Sequence, residues 1–302
     1  VGLNADTTYE IFIESEGGEP GDPVVFTTGS LPPSLPDWST TGSPGWRGFA
    51  VTSLMGGGNW AVVLDEAGKA VWYYELPNDG RLVRTRARRD GRGMWVVPAS
   101  RDNKEDPSDL IGIDWNGNEI ERHSIADFSH DYVEIEIGVI AFLLFDPREV
   151  GGRTEVGNRI TEITLETGTS TDIFSTFDLW KTTEGEPGED DDDWTAGNAL
   201  DFDPETGLYT AGFRSLDAII EVDRESGQVG RQFGGPDSDF DFANPQLAPN
   251  QQHQFQWSND QILVFDNREN DEYSRVTEFS LDGQLANTVW THQTDPPVWV
   301  YA

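Results

Sequence analysis

Short apolar runs separated by acidic or asparagine-containing turns recur along most of the chain. Five segments follow one plan, in which a strand-like run is followed by a turn that ends in glycine and then by a second strand-like run. Such turns between apolar runs are typical of β-hairpins. The turn glycines lie roughly 50 to 60 residues apart, at Gly68, Gly117, Gly168, Gly227 and Gly283. A repeat of this length that contains only strands predicts an all-β fold of the β-propeller class, with five blades visible.

Each hairpin is preceded by another apolar run, which the pattern assigns to the second strand of its blade. These runs cover residues 49–54, 94–97, 140–145, 208–213 and 262–265, and no amphipathic helix is evident between them. Five blades are few for a propeller of this kind, and residues 297–302 resemble the opening of another unit. We therefore expect a sixth blade beyond the C-terminus. The alternative is that residues 46–54 close the ring and five blades suffice.

The first part of the chain differs from the repeats. Residues 1–31 contain two strand-like runs, one at 8–13 and one at 24–28, and they resemble the last two strands of a fibronectin type III domain. The alternative is a small β extension that packs on the main domain. Residues 32–45 are rich in proline, serine and glycine, as in a linker. The predicted domains are therefore 1–31, the linker 32–45, and an incomplete propeller at 46–302.

The charge balance limits the partners. The chain has 55 acidic and 20 basic residues, a net charge of −35, and its only lysines are Lys69, Lys104 and Lys181. At molar salt the Debye length falls to roughly 3 Å and screens such repulsion, so we interpret the composition as that of a halophilic protein. An ordinary acidic protein or a calcium-rich extracellular one is the alternative. We do not expect nucleic acid as a partner, because phosphate contacts need a basic surface.

Other compositional features exclude whole classes of site. The chain has no cysteine, so it has no disulfide, thiolate metal site or cysteine nucleophile. No apolar run is long enough to span a membrane. The acidic run 189–193 suggests calcium, but it lacks the ligand spacing and mid-loop glycine of an EF-hand, which favours a solvated loop. We expect the one basic cluster to pair with acidic neighbours; it comprises Arg81, Arg84, Arg86, Arg88, Arg89 and Arg92.

Candidate chemistry lies before and after the predicted second strands. The innermost strand of a propeller blade lines the channel, so polar residues just before the second strands are expected to point at the axis. These are His130 with Asp131, Asn198 and His253, and the ends of the second strands add Arg214, Asp266 and Asn267. The other two histidines, His123 and His292, fall outside this pattern and are expected to be surface residues. A structural reading is also open, with His130 bonded to a loop, Asp131 capping a turn and Arg214 in an ion pair.

Three stretches resemble the bacterial arylsulfate sulfotransferases: SHDY at 129–132, the run at 193–240, and the run at 252–283. The resemblance implies a six-bladed propeller with an extra N-terminal β domain. It also implies a histidine nucleophile, matched by His253, that takes a sulfuryl group from an aryl sulfate and passes it to a phenol. An auxiliary histidine is matched by His130 and a sulfate-binding arginine by Arg214. Small aromatic sulfate esters and phenols are the implied partners, with no metal or organic cofactor.

The chain departs from the family at one position. The family motif Asp-Trp-x-His-x-Asn stands here as residues 193–198, with Ala196 where the histidine is expected. Losing one charge-stabilising donor typically lowers a rate by about a hundred- to a thousandfold. The first hypothesis is PAPS-independent sulfuryl transfer through a sulfohistidine at His253, with Asn198 and Asn267 binding substrate. The second is a non-catalytic extracellular propeller that serves as a binding or structural module in a surface assembly. Both place the protein outside the cell or at its surface, and in the periplasm if the cell has two membranes.

The general chemistry of the predicted residues suits sulfuryl transfer, independently of the resemblance. Neutral imidazole is a competent nucleophile near pH 7. A planar guanidinium such as that of Arg214 matches the charge that develops on sulfuryl oxygens. A second histidine can protonate a leaving phenoxide or deprotonate an incoming phenol.

Overall fold

The computed structural model describes residues 2–14, 16–18, 21–40, 47–55, 58–77, 81–99, 107–182, 193–268 and 273–293. Trp46, most of the acidic run 189–193 and the predicted opening of a sixth blade at 297–302 lie outside the described residues. Within these ranges the chain is built of strands and three short 3-10 helices, at Thr176–Asp178, Arg214–Leu216 and Pro245–Leu247. None of these helices has the length or apolar character needed to cross a membrane. The chain divides into two compact units, the first with the strands up to Ile125 and the second with those that follow.

The first unit contains three antiparallel sheets, with strand orders β1-β2, β3-β4-β5 and β6-β7-β8-β9. The strands are β1 Thr8–Ile11, β2 Val24–Thr27, β3 Ala50–Met55, β4 Asn59–Leu64, β5 Ala70–Glu75, β6 Arg81–Ala87, β7 Gly93–Ala99, β8 Ser108–Asp114 and β9 Glu119–Ile125. Its core lies between the second and third sheets, where Leu82 and Met94 are fully buried.

The second unit also contains three sheets, with strand orders β10-β11-β12-β13, β14-β15-β16-β17 and β18-β22-β21-β20-β19. All pairs are antiparallel except β18 with β22. The strands are β10 Phe128–Glu136, β11 Val139–Val150, β12 Arg153–Thr164, β13 Thr169–Ser175, β14 Gly197–Asp203, β15 Leu208–Phe213, β16 Ala218–Asp223, β17 Val229–Gly234, β18 Asp241–Phe242, β19 Gln252–Ser258, β20 Gln261–Asp266, β21 Arg275–Asp282 and β22 Leu285–His292.

The predicted repeat is confirmed. Each of the five turn glycines has a positive φ, from 59° to 83°, which glycine adopts without steric cost. Each glycine joins the last two strands of its blade, at β4–β5, β8–β9, β12–β13, β16–β17 and β21–β22. The apolar runs before the hairpins form β3, β7, β11, β15 and β20. The chain is therefore all-β, with five propeller-type blades.

Successive sheets of the second unit pack face to face. One apolar cluster joins the β10–β13 sheet to the β14–β17 sheet, and another joins the β14–β17 sheet to the β19–β22 sheet. At the centre of the second cluster the Phe233 ring contacts four aromatic rings, including Phe279 at 5.3 Å and Phe242 at 5.0 Å. This packing brings the first strands together, so that β14 contacts both β10 and β19.

The two predicted N-terminal strands are present as β1 and β2. Tyr9 and Phe26 stack with ring centroids 5.9 Å apart, and Ile11 and Val24 continue the same apolar face. The side chains of Ile11 and Val24 are largely exposed. The identification of these strands with a fibronectin type III domain, and the domain boundaries, stay predictions.

Two members of the basic cluster, Arg88 and Arg92, pair with carboxylates. Arg88 is buried, forms ion pairs with Asp90 (2.8 Å) and Glu121 (2.6 Å), and lies 4.1 Å above the Trp95 ring. His123 is only partly exposed and contacts the Glu121 carboxylate at 3.1 Å. His292 is exposed at the end of β22, as expected. The contacts of Arg88 favour a structural role for this residue.

Candidate functional site

The first strands of the last two blades begin with the same irregularity. In β19, Gln252 pairs with Asp266 and Gln254 pairs with Phe265, so His253 has no opposite residue. In β14, the register skips Asn198 in the same way, between Gly197 and Ala199. These are β-bulges, which re-aim a side chain and are frequent beside active sites. The two predicted residues therefore occupy equivalent bulges.

His130 lies in a longer irregularity of the same kind. In β10, Phe128 pairs with Leu144 and Tyr132 pairs with Phe142, so His130 stands between the paired positions. The three predicted polar residues at the starts of first strands are thus all released from regular pairing. Each of these side chains is therefore not bound to point to alternate faces of the sheet, as the side chains of a regular strand do.

A residue with left-handed backbone precedes each irregularity: Asp127 (φ 56°), Ala196 (φ 47°) and Gln251 (φ 54°). Its carbonyl accepts a hydrogen bond from a backbone N–H that lies within the second strand or directly after it. We call each such arrangement a corner and name it by its first strand. The donors are the N–H groups of Phe145 at the β10 corner (2.7 Å), Arg214 at the β14 corner (3.0 Å) and Asn267 at the β19 corner (3.4 Å).

The two site histidines are in contact. The Nε2 atoms of His130 and His253 lie 3.2 Å apart, and the ring centroids are 4.8 Å apart with an angle of 68° between the planes. His253 is buried, with 5% of its surface exposed, and His130 is half-buried. A neutral pair at this distance shares one N–H, since one nitrogen donates and the other accepts. The structure therefore brings together the two residues that the sequence placed 123 positions apart.

The side-chain amide group of Asn198 has one half bonded to the backbone of the neighbouring blade and one half unbonded. Its Nδ2 donates to the Gln252 carbonyl at 2.7 Å, directly before His253 in the chain. Its Oδ1 is buried and has no hydrogen-bond partner among the described residues. The Gln252 side chain in turn donates to the carbonyls of Phe213 (3.2 Å) and Ala218 (2.9 Å). These bonds tie the β19 corner to the neighbouring blade.

Arg214 and Asn267 occupy equivalent places at the two corners. Arg214 opens the 3-10 helix Arg214–Leu216 and is half-buried. Asn267 is almost fully buried, and its Oδ1 has no hydrogen-bond partner among the described residues. Each residue directly follows the second strand of its blade. Each contacts its corner through its backbone N–H group. Their binding of substrate stays a prediction.

The loop that carries Ala196 is held by Asp193. Its Oδ1 accepts hydrogen bonds from the N–H groups of Thr195 (3.1 Å) and Ala196 (2.9 Å). Trp194, between them, is buried with its ring 5.5 Å from that of Phe177. The aspartate and tryptophan of the motif therefore act as structural anchors, and they fix the backbone at the position where the expected histidine is absent.

Asn158 on β12 is a site residue that the sequence analysis missed. It is fully buried, and its Oδ1 accepts from the Gly197 N–H (2.6 Å) and the Thr195 hydroxyl (2.7 Å). Its Nδ2 donates to the hydroxyl of Ser129, the neighbour of His130, at 3.2 Å. Asn158 therefore links the β14 corner to the strand that carries His130. The only signal in the sequence is an asparagine in the middle of an otherwise regular strand.

Asp131 forms a second link between the same strands. It is fully buried, and its Oδ2 accepts from the Leu200 N–H on β14 at 2.9 Å. Its other oxygen accepts from the Tyr132 N–H at 2.8 Å. A buried carboxylate needs such donors. Asp131 thus bridges two blades. The sequence alone suggested only a role in capping a turn.

Asp266 anchors the loop that leads into the β19 corner. Its carboxylate accepts from Arg275 (2.6 Å) and from the Asn250 N–H (2.6 Å). Arg275 is itself buried and donates to the carbonyls of Gln246 (3.1 Å) and Leu247 (3.3 Å). Burial raises the pKa of Asp266 to about 6, against the opposing effect of these donors.

A cleft of about 790 Å³ lies at the other end of these strands. Glu136, at the end of β10, lines it together with Glu162, Phe202 and Arg224. Arg224 donates to Glu162 (2.7 Å) and Glu136 (3.0 Å), so these charges are paired. The cleft is separate from the histidine site, because His130 lies near the opposite end of β10.

In the part of the chain that the structure describes, no group of three or more His, Cys, Asp or Glu side chains is arranged to hold a metal ion. The described site presents two imidazoles within a frame of buried amides and carboxylates.

Solved structures resemble the chain in fold. A protein of unknown function from Bacteroides caccae shares 13% identity with a TM-score of 0.50, over 78% of this chain and 75% of that one. A chain of a nidogen/laminin complex shares 9% identity with a TM-score of 0.51, over 80% of this chain and 75% of that one. No curated protein matches the sequence.

The comparison with protein families gives a more specific result. The profile described as "Arylsulfotransferase (ASST)" matches residues 55–290, which is most of the chain and includes all three corners. The resemblance carried by the sequence motifs is thereby confirmed. The chain belongs to the arylsulfotransferase family.

Proposed function

We propose that this protein transfers a sulfuryl group from an aryl sulfate ester to a phenol by a ping-pong route through His253. The observation that carries the proposal is the contact between His253 and His130, whose Nε2 atoms are 3.2 Å apart. Family membership supports the reaction class. The pair supplies the two functions that the reaction needs, a nucleophile and a proton donor.

In the first half-reaction, the Nε2 lone pair of His253 attacks the sulfur of the ester. An S–N bond forms, the bond from sulfur to the aryl oxygen breaks, and the phenolate leaves with the bonding electrons. The proton that neutralises it comes from Nε2 of His130, which turns from His253 to the leaving oxygen. In the second half-reaction a phenol oxygen attacks sulfur, the S–N bond breaks, and His130 takes the phenol proton.

The remaining predicted residues have charge and polarity suited to this chemistry. Arg214 supplies a cation for the sulfuryl oxygens, whose negative charge grows in the transition state. Asn198 and Asn267 each keep a buried carbonyl oxygen without a partner among the described residues, able to accept a hydrogen bond from a phenol. With Ala196 in place of a histidine, we expect a slow member of the family.

The location of the protein is part of the proposal. Family membership favours a protein that acts outside the cytoplasm, in the periplasm or at the cell surface. The net charge of −35 favours work in concentrated salt, where repulsion among carboxylates is screened.

A second function, a non-catalytic binding module, is favoured by one observation. The motif position expected to hold a histidine is Ala196, so the site lacks one donor. In that case the histidine pair would bind an aromatic ligand without turning it over.

A transfer assay in multimolar salt tests the proposal, with 4-nitrophenyl sulfate as donor and phenol as acceptor. We expect nitrophenol release by the natural protein and none by His253→Ala. His292→Ala is the matched control, since His292 is exposed on β22 and lies outside the site pattern. A folded protein that releases no nitrophenol, or one whose release is unchanged in His253→Ala, would overturn the mechanism.

A further inference from the structure

A fully buried glutamine, Gln252, holds both ends of the loop that carries Arg214. This loop joins β15 to β16 and contains the 3-10 helix Arg214–Leu216, and Phe213 and Ala218 pair at its two ends. The side-chain Nε2 of Gln252 lies 3.2 Å from the Phe213 carbonyl oxygen and 2.9 Å from that of Ala218. The two N–H bonds of one amide therefore clamp the loop at its base.

The orientation of this amide is fixed by its partners. Backbone carbonyls only accept hydrogen bonds, so the nitrogen of the Gln252 side chain must face them. Its Oε1 is then left without a hydrogen-bond partner among the described residues. An unbonded buried oxygen lowers stability, so the gain from a glutamine at this position lies in the two bonds that its nitrogen makes.

The backbone of Gln252 fixes the other end of the link. Gln252 pairs with Asp266 at the start of β19, and its carbonyl accepts from the Asn198 Nδ2 at 2.7 Å. His253 follows directly, at the bulge. One residue therefore joins the backbone that presents the His253 ring to the loop that presents Arg214.

The Arg214 loop is held from two sides. On the β19 side, the Gln251 N–H donates to the Asp217 carboxylate at 2.5 Å, beside the clamp. On the β14 side, the N–H groups of Arg214 and Ser215 donate to carbonyls of the β14 corner, at 3.0 and 3.2 Å. The bonds from β19 and the residue before it thus set the position of the loop relative to His253.

We propose that Gln252 is a positioning residue, which holds the Arg214 loop in place relative to the His253 ring. The inference rests on the proposed function, in which Arg214 binds the sulfuryl oxygens and His253 attacks the sulfur. Both groups must reach one sulfuryl group together, and a displacement of about 1 Å can lower a rate by roughly a hundredfold. Because Gln252 is fully buried, it acts through Arg214 and not on the substrate.

Two variants open the link from different sides. Gln252→Met keeps the length of the side chain and removes both N–H donors. Asp217→Gly removes the acceptor of the Gln251 N–H, and it should fold readily, because Asp217 is half-buried and glycine adopts its φ of 52° without steric cost. Thr277→Val is the matched control, since Thr277 on β21 is almost fully buried and its hydroxyl is hydrogen-bonded to that of Thr291 at 3.3 Å.

The first experiment reports on the clamp without any activity. Hydrogen–deuterium exchange of the whole protein in concentrated salt is read by mass spectrometry. The N–H groups of Arg214, Ser215 and Asp217 are hydrogen-bonded in the loop. In Gln252→Met we expect them to exchange about tenfold faster, and in Thr277→Val at the natural rate.

The second experiment is a double-mutant cycle on kcat/KM for 4-nitrophenyl sulfate. We expect Gln252→Met to lower kcat/KM roughly 10- to 100-fold in the natural protein. In an Arg214→Met background the same change should cost less than about threefold, because no guanidinium remains to be positioned. A merely structural role would give equal losses in both backgrounds. Asp217→Gly should follow the same pattern, and it decides the question if Gln252→Met does not fold.

The outcomes separate this proposal from the proposed function. Unchanged exchange of the Arg214 loop in the variants, or equal losses in both backgrounds, would overturn the positioning role. If the natural protein transfers sulfuryl groups and Gln252→Met does so at the same rate, the proposed function stands and the positioning role fails. If the natural protein transfers none, the proposed function fails and the catalytic part of this inference fails with it, whereas faster exchange in Gln252→Met would still support the clamp.

Discussion

The β14 and β19 corners of the second unit share one backbone plan and differ in chemistry. At the β14 corner, Arg214 and Ser215 donate to the carbonyls of Ala196 and Thr195, at 3.0 and 3.2 Å. At the β19 corner, Asn267 and Arg268 donate to the carbonyls at 251 and 250, at 3.4 and 3.2 Å. Each corner then presents one residue at a bulge, an amide in one case and an imidazole in the other.

The comparison shows how a repeated scaffold acquires a site. The backbone of a corner fixes where a side chain points, and the repeat supplies the same frame in successive blades. The chemistry then depends on a single residue, His253 in one corner and Asn198 in the other. The supports differ as well, because Asp193 and Asn158 hold the β14 corner whereas Asp266 and Arg275 hold the loop before the β19 corner.

The largest effect is expected when the β19 corner is given the side chain of the β14 corner. His253→Asn keeps a polar group of similar size on the same bulge and removes the proposed nucleophile. We expect transfer activity to fall at least about 10⁴-fold, as for other covalent catalysts that lose their nucleophile. Initial rates with 4-nitrophenyl sulfate measure the change, and a circular dichroism melt checks the fold. Activity within tenfold of the natural protein would show that the imidazole of the β19 corner is not needed for the reaction.

The second effect tests the support of the β19 corner. Burial raises the pKa of Asp266 to about 6 in the folded protein, above its ordinary value of 3.8. The folded state therefore holds the proton more tightly, and the stability gained from it is present at low pH and lost as the pH rises through about 6. The expected loss between pH 4 and pH 7 is roughly 3 kcal/mol.

Denaturant titrations at several pH values measure this slope, with Asp266→Asn as the comparison. The amide cannot ionise, so the variant should lack this part of the pH dependence. Asp282→Asn, an exposed change on β21, is the control. Parallel stability curves for the natural protein and Asp266→Asn would contradict the raised pKa.

The third effect tests the support of the β14 corner. Asn158→Leu keeps the number and branching of the side-chain heavy atoms but takes the buried acceptor away from the Gly197 N–H and leaves the Thr195 hydroxyl with Asp193 as its acceptor. We expect a loss of about 2 kcal/mol in the free energy of unfolding, the usual cost of an unsatisfied buried polar group. Asn116→Leu, at an exposed turn, should cost far less.

A purely local role for Asn158 would change stability alone. If it also positions His130 through Ser129, histidine ring ¹⁵N spectra of Asn158→Leu should show a perturbed His130–His253 contact under folded conditions. Unchanged ring signals would confine the role of Asn158 to stability.

The contrast between the corners also explains what the sequence could predict. His130, Asn198 and His253 were found because they recur at one place in a repeat, and a repeat is visible in the order of residues. Asn158 and Gln252 form their bonds with residues 39 positions away in the chain, 158 with 197 and 252 with 213. Such contacts depend on how blades pack, which no local pattern records. The left-handed backbone at Ala196 was equally hidden, because glycine is the usual signal for it.

The smallest effect is expected from giving the β14 corner an imidazole. Ala196 has a φ of 47°, a conformation that histidine tolerates better than most residues, so Ala196→His should fold without a large penalty. Asp193 would still hold the backbone through the N–H of residue 196. The new ring would add a hydrogen-bond donor beside the sulfuryl group, and we expect a gain of about tenfold in transfer rate, below the full value of a preorganised donor. Ala196→Asn, which also suits this backbone, controls for a polar side chain without an imidazole. A rate that rises equally in both variants would assign the gain to polarity, and a rate that rises in neither would mean that the β14 corner does not face the reacting sulfur.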